Sequence, residues 1–192
     1  GKEFSEPILR EAIALSEIDL RTALAALKSA EFVYEQALYP IVEYAFKHPL
    51  TQEVARGSML SERRSRTHTA VARAIEEQPG AKLDESAALL ALHWEEAGEP
   101  LLAARWHRRA AAWVGRSDPL QAVRHMQRVL AVTEDLDESP ERDALRLESC
   151  GSLLGQGGWR IGLSLDEAEA IFAEGRRLAD LRRDTDTAIA LC

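Results

Sequence analysis

The stretch EYAFKHPLTQEVA (Glu43–Ala55) changes character in its middle. Tyr44 and Phe46 alternate with smaller or polar neighbours, as in a half-buried strand. The residues after Pro49 suit a helix, and proline is well placed in a first helical turn. Between the two stands His48, directly before proline, a position biased toward extended backbone. The stretch therefore predicts a strand-to-helix joint with a histidine at a helix start. Free backbone N–H groups at such a start favour an anion. A histidine there can donate to a phosphate, or it can simply tie the strand to the helix. Judged by how often histidine is partly buried, the structural role is the simpler account.

Upstream, FSEPILREAIAL predicts a helix with Ser5 as N-cap and Pro7 in its first turn. DLRTALAALKSA predicts a second helix capped by Asp19, with Leu20, Ala23, Leu24 and Leu27 on its apolar stripe. The period then shortens. EFVYE and IVEYAF are rich in aromatic and β-branched residues, and Phe32 alternates with Tyr34 as Val42 does with Tyr44 and Phe46. Two helices and a β-hairpin predict a partial winged helix over residues 1–48, with its first helix upstream of Gly1. The helix that would read DNA in such a module has only Arg21 and Lys28 as basic groups. That is thin for the major groove, so the module is expected to pack within its own protein and not on DNA.

Downstream the chain reads as helix almost throughout. Residues 49–82 form connecting helices. Residues 83–192 form antiparallel helical repeats that resemble tetratricopeptide (TPR) hairpins and are expected to continue past Cys192. Leu83, Ala87, Leu90, Trp94 and Ala97 make one stripe, and AGEP ends that helix. Further helices are expected over about 101–115 and 120–134, from a Ser139 cap with Pro140 behind it, and from Ser164 or Asp166 to Leu181. A small–bulky–small pattern recurs as Ala103, His107, Ala110, then Ala122, Met126, Val129, then Ala168, Phe172, Gly175. Small residues let helices approach and the bulky one fills the gap, which is the TPR logic at irregular spacing. The closing segment DTDTAIALC reads as the start of another helix.

The chain has 192 residues, 46% hydrophobic and 29% charged, enough for one sizeable core or two small ones. No apolar run nears the ~20 residues of a membrane span, and no signal peptide is evident behind Gly1. With no initiator methionine, the start reads as a cut inside a longer protein. Cys150 and Cys192 are the only cysteines, too few for a disulfide framework and in keeping with a reducing cytoplasm. A net charge of −8 argues against broad nucleic-acid binding.

Catalytic motifs are absent. There is no GxxxxGK[ST] loop and no HExxH. GSLLGQGG (Gly151–Gly158) reads as a helix end plus a turn. EDLDESPERD (Glu134–Asp143) lacks the glycine and ligand spacing of a calcium loop and reads as a solvated acidic segment. His93 beside Trp94 suits packing. His68, His107 and His125 lie on helices without a Ser, Cys or Asp partner at a telling spacing. No catalytic residue and no metal ligand is therefore expected. Arg56, Arg63, Arg64, Arg66 and Arg73 make a locally basic run that could touch phosphate or an acidic partner domain, but it reads first as a solvated face, with Leu60, Thr67, Val71 and Ala74 as its buried side.

YAFKHPLTQEVARGSMLSERRSRTHTAVARAIE resembles a segment of large bacterial signalling proteins. These join a class III adenylate/guanylate cyclase domain to an AAA-like signal-transduction ATPase (STAND) module and a TPR-like tail. GKEFSEPILREAI resembles the piece just after the ATPase core, and GGWRIGLSLDEAEAIFAEGRRLADLRRD a later part of the tail. Arg56 stands where the family often has an aromatic residue. The same middle also occurs in regulators that carry a DNA-binding domain in place of the cyclase. The resemblance implies that His48, in FKHPL, reaches the phosphates of ADP held by a neighbouring ATPase domain. It implies ATP or ADP as cofactor of that domain and none for this chain. It further implies that the chain is not itself an enzyme, and that a protein or peptide partner binds on the repeats. A cyclase-linked regulatory region, the matching region of a transcription regulator, and a plain scaffold are the three readings that follow.

Overall fold

A computed structural model describes residues 3–13, 15–38, 41–78, 80, 82–115, 117–157 and 163–182. The chain is mainly helical with a small antiparallel sheet. It divides into two compact units, residues 1–81 and 82–192. The expected final helix in DTDTAIALC lies outside the described residues, as does much of the loop before Ser164.

The first unit begins with strand β1 (Glu3–Ser5), then helices α1 (Glu6–Ala12) and α2 (Glu17–Ser29). Strands β2 (Val33–Ala37) and β3 (Glu43–Phe46) follow, then α3 (Pro49–Gly57) and α4 (Ser61–Glu77). Ser5 precedes α1 as expected, with Pro7 in the first turn. The second helix starts earlier than expected. Ser16, not Asp19, is its N-cap and accepts the Asp19 amide, so Asp19 sits inside the first turn, where a carboxylate suits the helix dipole.

The sheet has the order β1-β3-β2, all antiparallel. The expected hairpin is present, and β1 adds a third strand on the free side of β3. Phe4 pairs with Tyr44, and their rings stack at 5.7 Å. Three residues are too few to announce a strand, and β1 exists because β3 supplies its partners. The predicted Phe32–Tyr34 stripe is one residue out. Val33, opposite Phe46, is buried, whereas Phe32 and Tyr34 are exposed. A one-residue slip exchanges the faces of a strand. Here the slip follows from the end of α2, where Glu31 takes a left-handed φ of 61° and the Phe32 amide reaches back to the Leu27 carbonyl.

The core of the unit joins Leu20 and Leu24 of α2 to Tyr44, with Phe4, Leu9 and Val42 around them. The Tyr44 hydroxyl donates to Glu6 at 3.2 Å. Of the expected α2 stripe, Ala23 and Leu27 are exposed. In α4, Ala72, Ala74 and Ile75 are buried, while Leu60 precedes the helix and is 79% exposed, against expectation.

The second unit is a succession of helices: α5 (Ala87–Ala97), α6 (Pro100–Val114), α7 (Pro119–Val132), α8 (Pro140–Ser152) and α9 (Leu165–Arg182). A π-helical turn, Leu153–Gly157, extends α8. Proline opens three of these helices, and Gly98 (φ 77°) closes α5 in the left-handed conformation that glycine adopts without penalty. Asp118, Ser139 and Ser164 cap the helices that follow them. Glu167 returns a bond to the Ser164 amide, a reciprocal capping box.

Each helix packs antiparallel on the next. Arg109 near the end of α6 meets Asp84 ahead of α5. Ala104 packs with Val129, and Ala111 with Val123 and Met126. Ala103, Ala104, Ala110 and Ala111 are almost wholly buried, so α6 offers small side chains to its neighbours. The first two small–bulky–small triplets lie in these seams, although Ala122 is only half-buried. The third does not hold. Gly175 is buried and Ala168 half-buried, but Phe172 is exposed, and Ile171, one residue before it, packs against the cluster of Ala111, Val123, Met126 and Leu153 instead.

Candidate functional site

The joint after β3 is built as the sequence suggests. His48 has extended backbone (φ −131°, ψ 130°) and precedes Pro49 at the start of α3. Two hydrogen bonds hold it in place. The Lys47 amide donates to the Phe32 carbonyl at 2.9 Å, and the His48 carbonyl accepts the Thr51 amide at 3.0 Å. Lys47 Nζ also pairs with Glu31 at 2.8 Å, and this ammonium holds the Glu31 carboxyl below its ordinary range. The His48 side chain makes no capping bond to α3 and is exposed. Its ring is thus positioned by the backbone while its nitrogens are not used to close the helix.

Beside it runs an open groove of about 580 Å³. Leu27 from α2, Phe32, Phe46 from β3, and Leu50 and Val54 from α3 line it, with His48 at its edge. Leu50 is 67% and Val54 63% exposed. No residue of α3 is buried, yet its apolar positions share one side. A helix kept amphipathic without burying anything in its own unit leaves an apolar surface for something else.

The basic run lies beyond this joint. Arg56, Arg63, Arg66 and Arg73 are exposed and Arg64 is half-buried. Arg66 pairs with Glu62. On α2, Arg21 pairs with Glu17 and Lys28 with Glu35. Both cations of the presumed reading helix are therefore already matched by carboxylates.

The other histidines fall in different settings. His68 is half-buried in α4, and His93 is buried in α5 beside the buried Trp94. His107 and His125, 18 positions apart in sequence, meet at 2.9 Å between their Nδ1 atoms. Glu95 bonds His107 Nε2 and takes Arg128 on its other side. No spacing within one helix could announce this, because the four side chains come from three different helices. Among the described residues, no group of three or more His, Cys, Asp or Glu side chains is arranged to hold a metal ion. Cys150 is buried, and burial pushes its thiol up to about 11, which makes it a poor nucleophile. Cys192 lies outside the described residues.

The acidic segment is not simply solvated. Glu138 pairs with Arg177 and Glu141 with Arg105, while Asp143 is buried against Arg142 at 2.9 Å. Glu138 and Glu141 tie the start of α8 to α9 and α6, whereas the Arg142–Asp143 pair lies within α8. Comparison of the chain with protein-family models, with curated proteins and with solved structures finds no match.

Proposed function

We propose that this chain is a regulatory and protein-interaction region of a multidomain signalling protein, with a partial winged helix followed by TPR-like repeats. The observation that carries the reading is the exposed His48 beside an apolar groove, held by backbone bonds at a helix start. Such a surface suits an intramolecular partner domain. The apolar groove would seat that domain, and the His48 imidazole would donate to a phosphate of the nucleotide it holds. The resemblance of FKHPLTQEVA to STAND proteins supports an AAA-like ATPase as that domain, in a cyclase-linked cytoplasmic protein. Two helices and a hairpin support the winged helix, and antiparallel helices joined by short turns support the repeats. On this reading the chain has no catalysis of its own. The repeats take a protein or peptide partner and relay its binding.

The ion-paired state of Arg21 and Lys28 argues that any DNA contact belongs to another domain. The test is His48→Ala in the complete protein that the reading requires. ADP retention should fall and signalling output should rise while the helical content stays unchanged. Wild-type retention in that variant sinks the sensor role. Sequence upstream encoding the paired metal-binding aspartates of a cyclase supports the first reading. A helix-turn-helix domain there replaces it with a transcription regulator.

A further inference from the structure

Three helices of the second unit each contribute one titratable side chain to a single line of contacts. Glu95 comes from α5, His107 from α6 and His125 from α7. His107 is 6% exposed. Its Nε2 meets a Glu95 carboxylate oxygen, and its Nδ1 lies 2.9 Å from Nδ1 of His125. The two rings are tilted by 39° with centroids 5.1 Å apart, so they meet through their nitrogens and are not stacked. Arg128 of α7 donates from both Nε and Nη2 to Glu95. Glu95 and Arg128 are the charged groups that act on His107, and Glu95 and His107 those that act on His125.

The protons follow from the partners. Burial alone would raise the Glu95 carboxyl, but bonds from Arg128 and His107 outweigh it and hold the group below its ordinary value. Glu95 is therefore an ionised acceptor, and His107 Nε2 must carry the proton it donates. In a neutral imidazole the other nitrogen is an acceptor. His107 Nδ1 thus accepts, and His125 donates from Nδ1–H. This leaves the lone pair of His125 on Nε2. One proton can add there and break nothing. A second must go to His107 Nδ1, and two N–H groups then face each other at bonding distance.

We infer that Glu95, His107 and His125 form an acid-operated latch between α5, α6 and α7, which survives uptake of one proton and is forced open by the second. Opening acts on the α6–α7 seam, where Ala104 meets Val129 and Ala111 meets Met126. Burial disfavours both imidazolium forms, so the latch opens at a pH below the ordinary histidine value of 6.5. This inference is independent of the proposed function.

The first test is long-range ¹H–¹⁵N imidazole spectroscopy of the 192-residue chain at pH 8. His107 should carry its proton on Nε2, and His125 on Nδ1. A His125 ring protonated on Nε2 overturns the latch. The second test is amide exchange at pH 7.5 and pH 5, corrected for the chemical rate. Amides of α6 and α7 should gain about tenfold in relative rate for every tenfold by which folding weakens the hold on the second proton, while those of α9 lag behind. His125→Asn keeps a donor near the Nδ1 position, and its amide can turn to offer oxygen to a protonated His107. That variant should lose most of the acid response. An equal response in wild type and variant overturns the proposal.

Discussion

In the first unit several ion pairs lie in water and several large apolar side chains lie out there with them. Arg21–Glu17, Arg66–Glu62 and Lys47–Glu31 are exposed pairs, and Phe32, Leu50 and Val54 are exposed beside them. In the second unit ionic groups run through the seams. Arg146 donates to the Leu130 carbonyl at 2.9 Å and to Thr133 Oγ1 at 3.1 Å, and also pairs with Glu174. Arg142 donates to the Thr133 carbonyl and pairs with the buried Asp143. These two arginines of α8 satisfy the last carbonyls of α7, which a helix cannot satisfy itself. The second unit uses polar groups to fix its helices, whereas the first leaves an apolar face open. The contrast is one of how elements are held: polar bonds lock the helices of the second unit to one another, the first keeps an apolar groove open, and exposed Leu92 and Trp113 leave the second unit a surface of its own.

Four changes probe that contrast, from the largest effect down. Leu90 is wholly buried in α5. Leu90→Ala should cost the second unit about 2–5 kcal/mol in chemical denaturation. A loss well under 1 kcal/mol would mean that the seam is loosely packed. Arg146→Ala removes charge-assisted bonds from a side chain that is mostly buried and should cost about 1.5–3 kcal/mol. Amide exchange should then rise first at the end of α7. If it rises uniformly, the arginine is not acting as a clamp.

Acid should divide the units next. The folded-state pKa of His107 and His125 is depressed by burial. Their contribution is complete above the unfolded value of 6.5 and is lost as pH falls from there toward the folded value, because the unfolded chain takes up protons first. Glu95 and Glu174 are also depressed and add a loss at lower pH, through their folded values. A tenfold difference in proton affinity between the folded and unfolded chain is worth ~1.4 kcal/mol. Residue-resolved exchange should show the second unit loosening before the first between pH 6.5 and 5. The opposite order breaks the comparison. The smallest effect is expected in the groove. Leu50→Ser should leave stability within about 0.5 kcal/mol, since Leu50 is 67% exposed. The same variant should weaken binding of an apolar fluorescent probe such as ANS, and undiminished binding would show that the probe sits elsewhere.

Much of the local structure was legible in the residues. Pro49, Pro100, Pro119 and Pro140 mark helix starts, Ser139 and Ser164 cap, and of the expected stripe Ala87, Leu90, Trp94 and Ala97 are buried, while Leu83 falls in the turn before α5 and is half-buried. The extended backbone of His48 followed from Pro49 alone. Other features were not legible, each for a physical reason. Strand β1 is too short to carry a period. The Ser16 cap competes with Asp19 only three residues away, and both are good capping residues. Phe172 and Ile171 are adjacent apolar residues, and packing on the cluster around Met126 and Leu153 selects the second.

Periodicity, capping and proline chemistry are local, so the chain by itself determined where most helices start and which face of α5 turns inward. Pairing between distant residues is not local. The third strand, the groove beside His48, the arginine clamp on α7 and the Glu95–His107–His125 line each need elements that meet only after folding. Tertiary packing decided those, because a contact energy depends on distance in space and not on spacing along the chain.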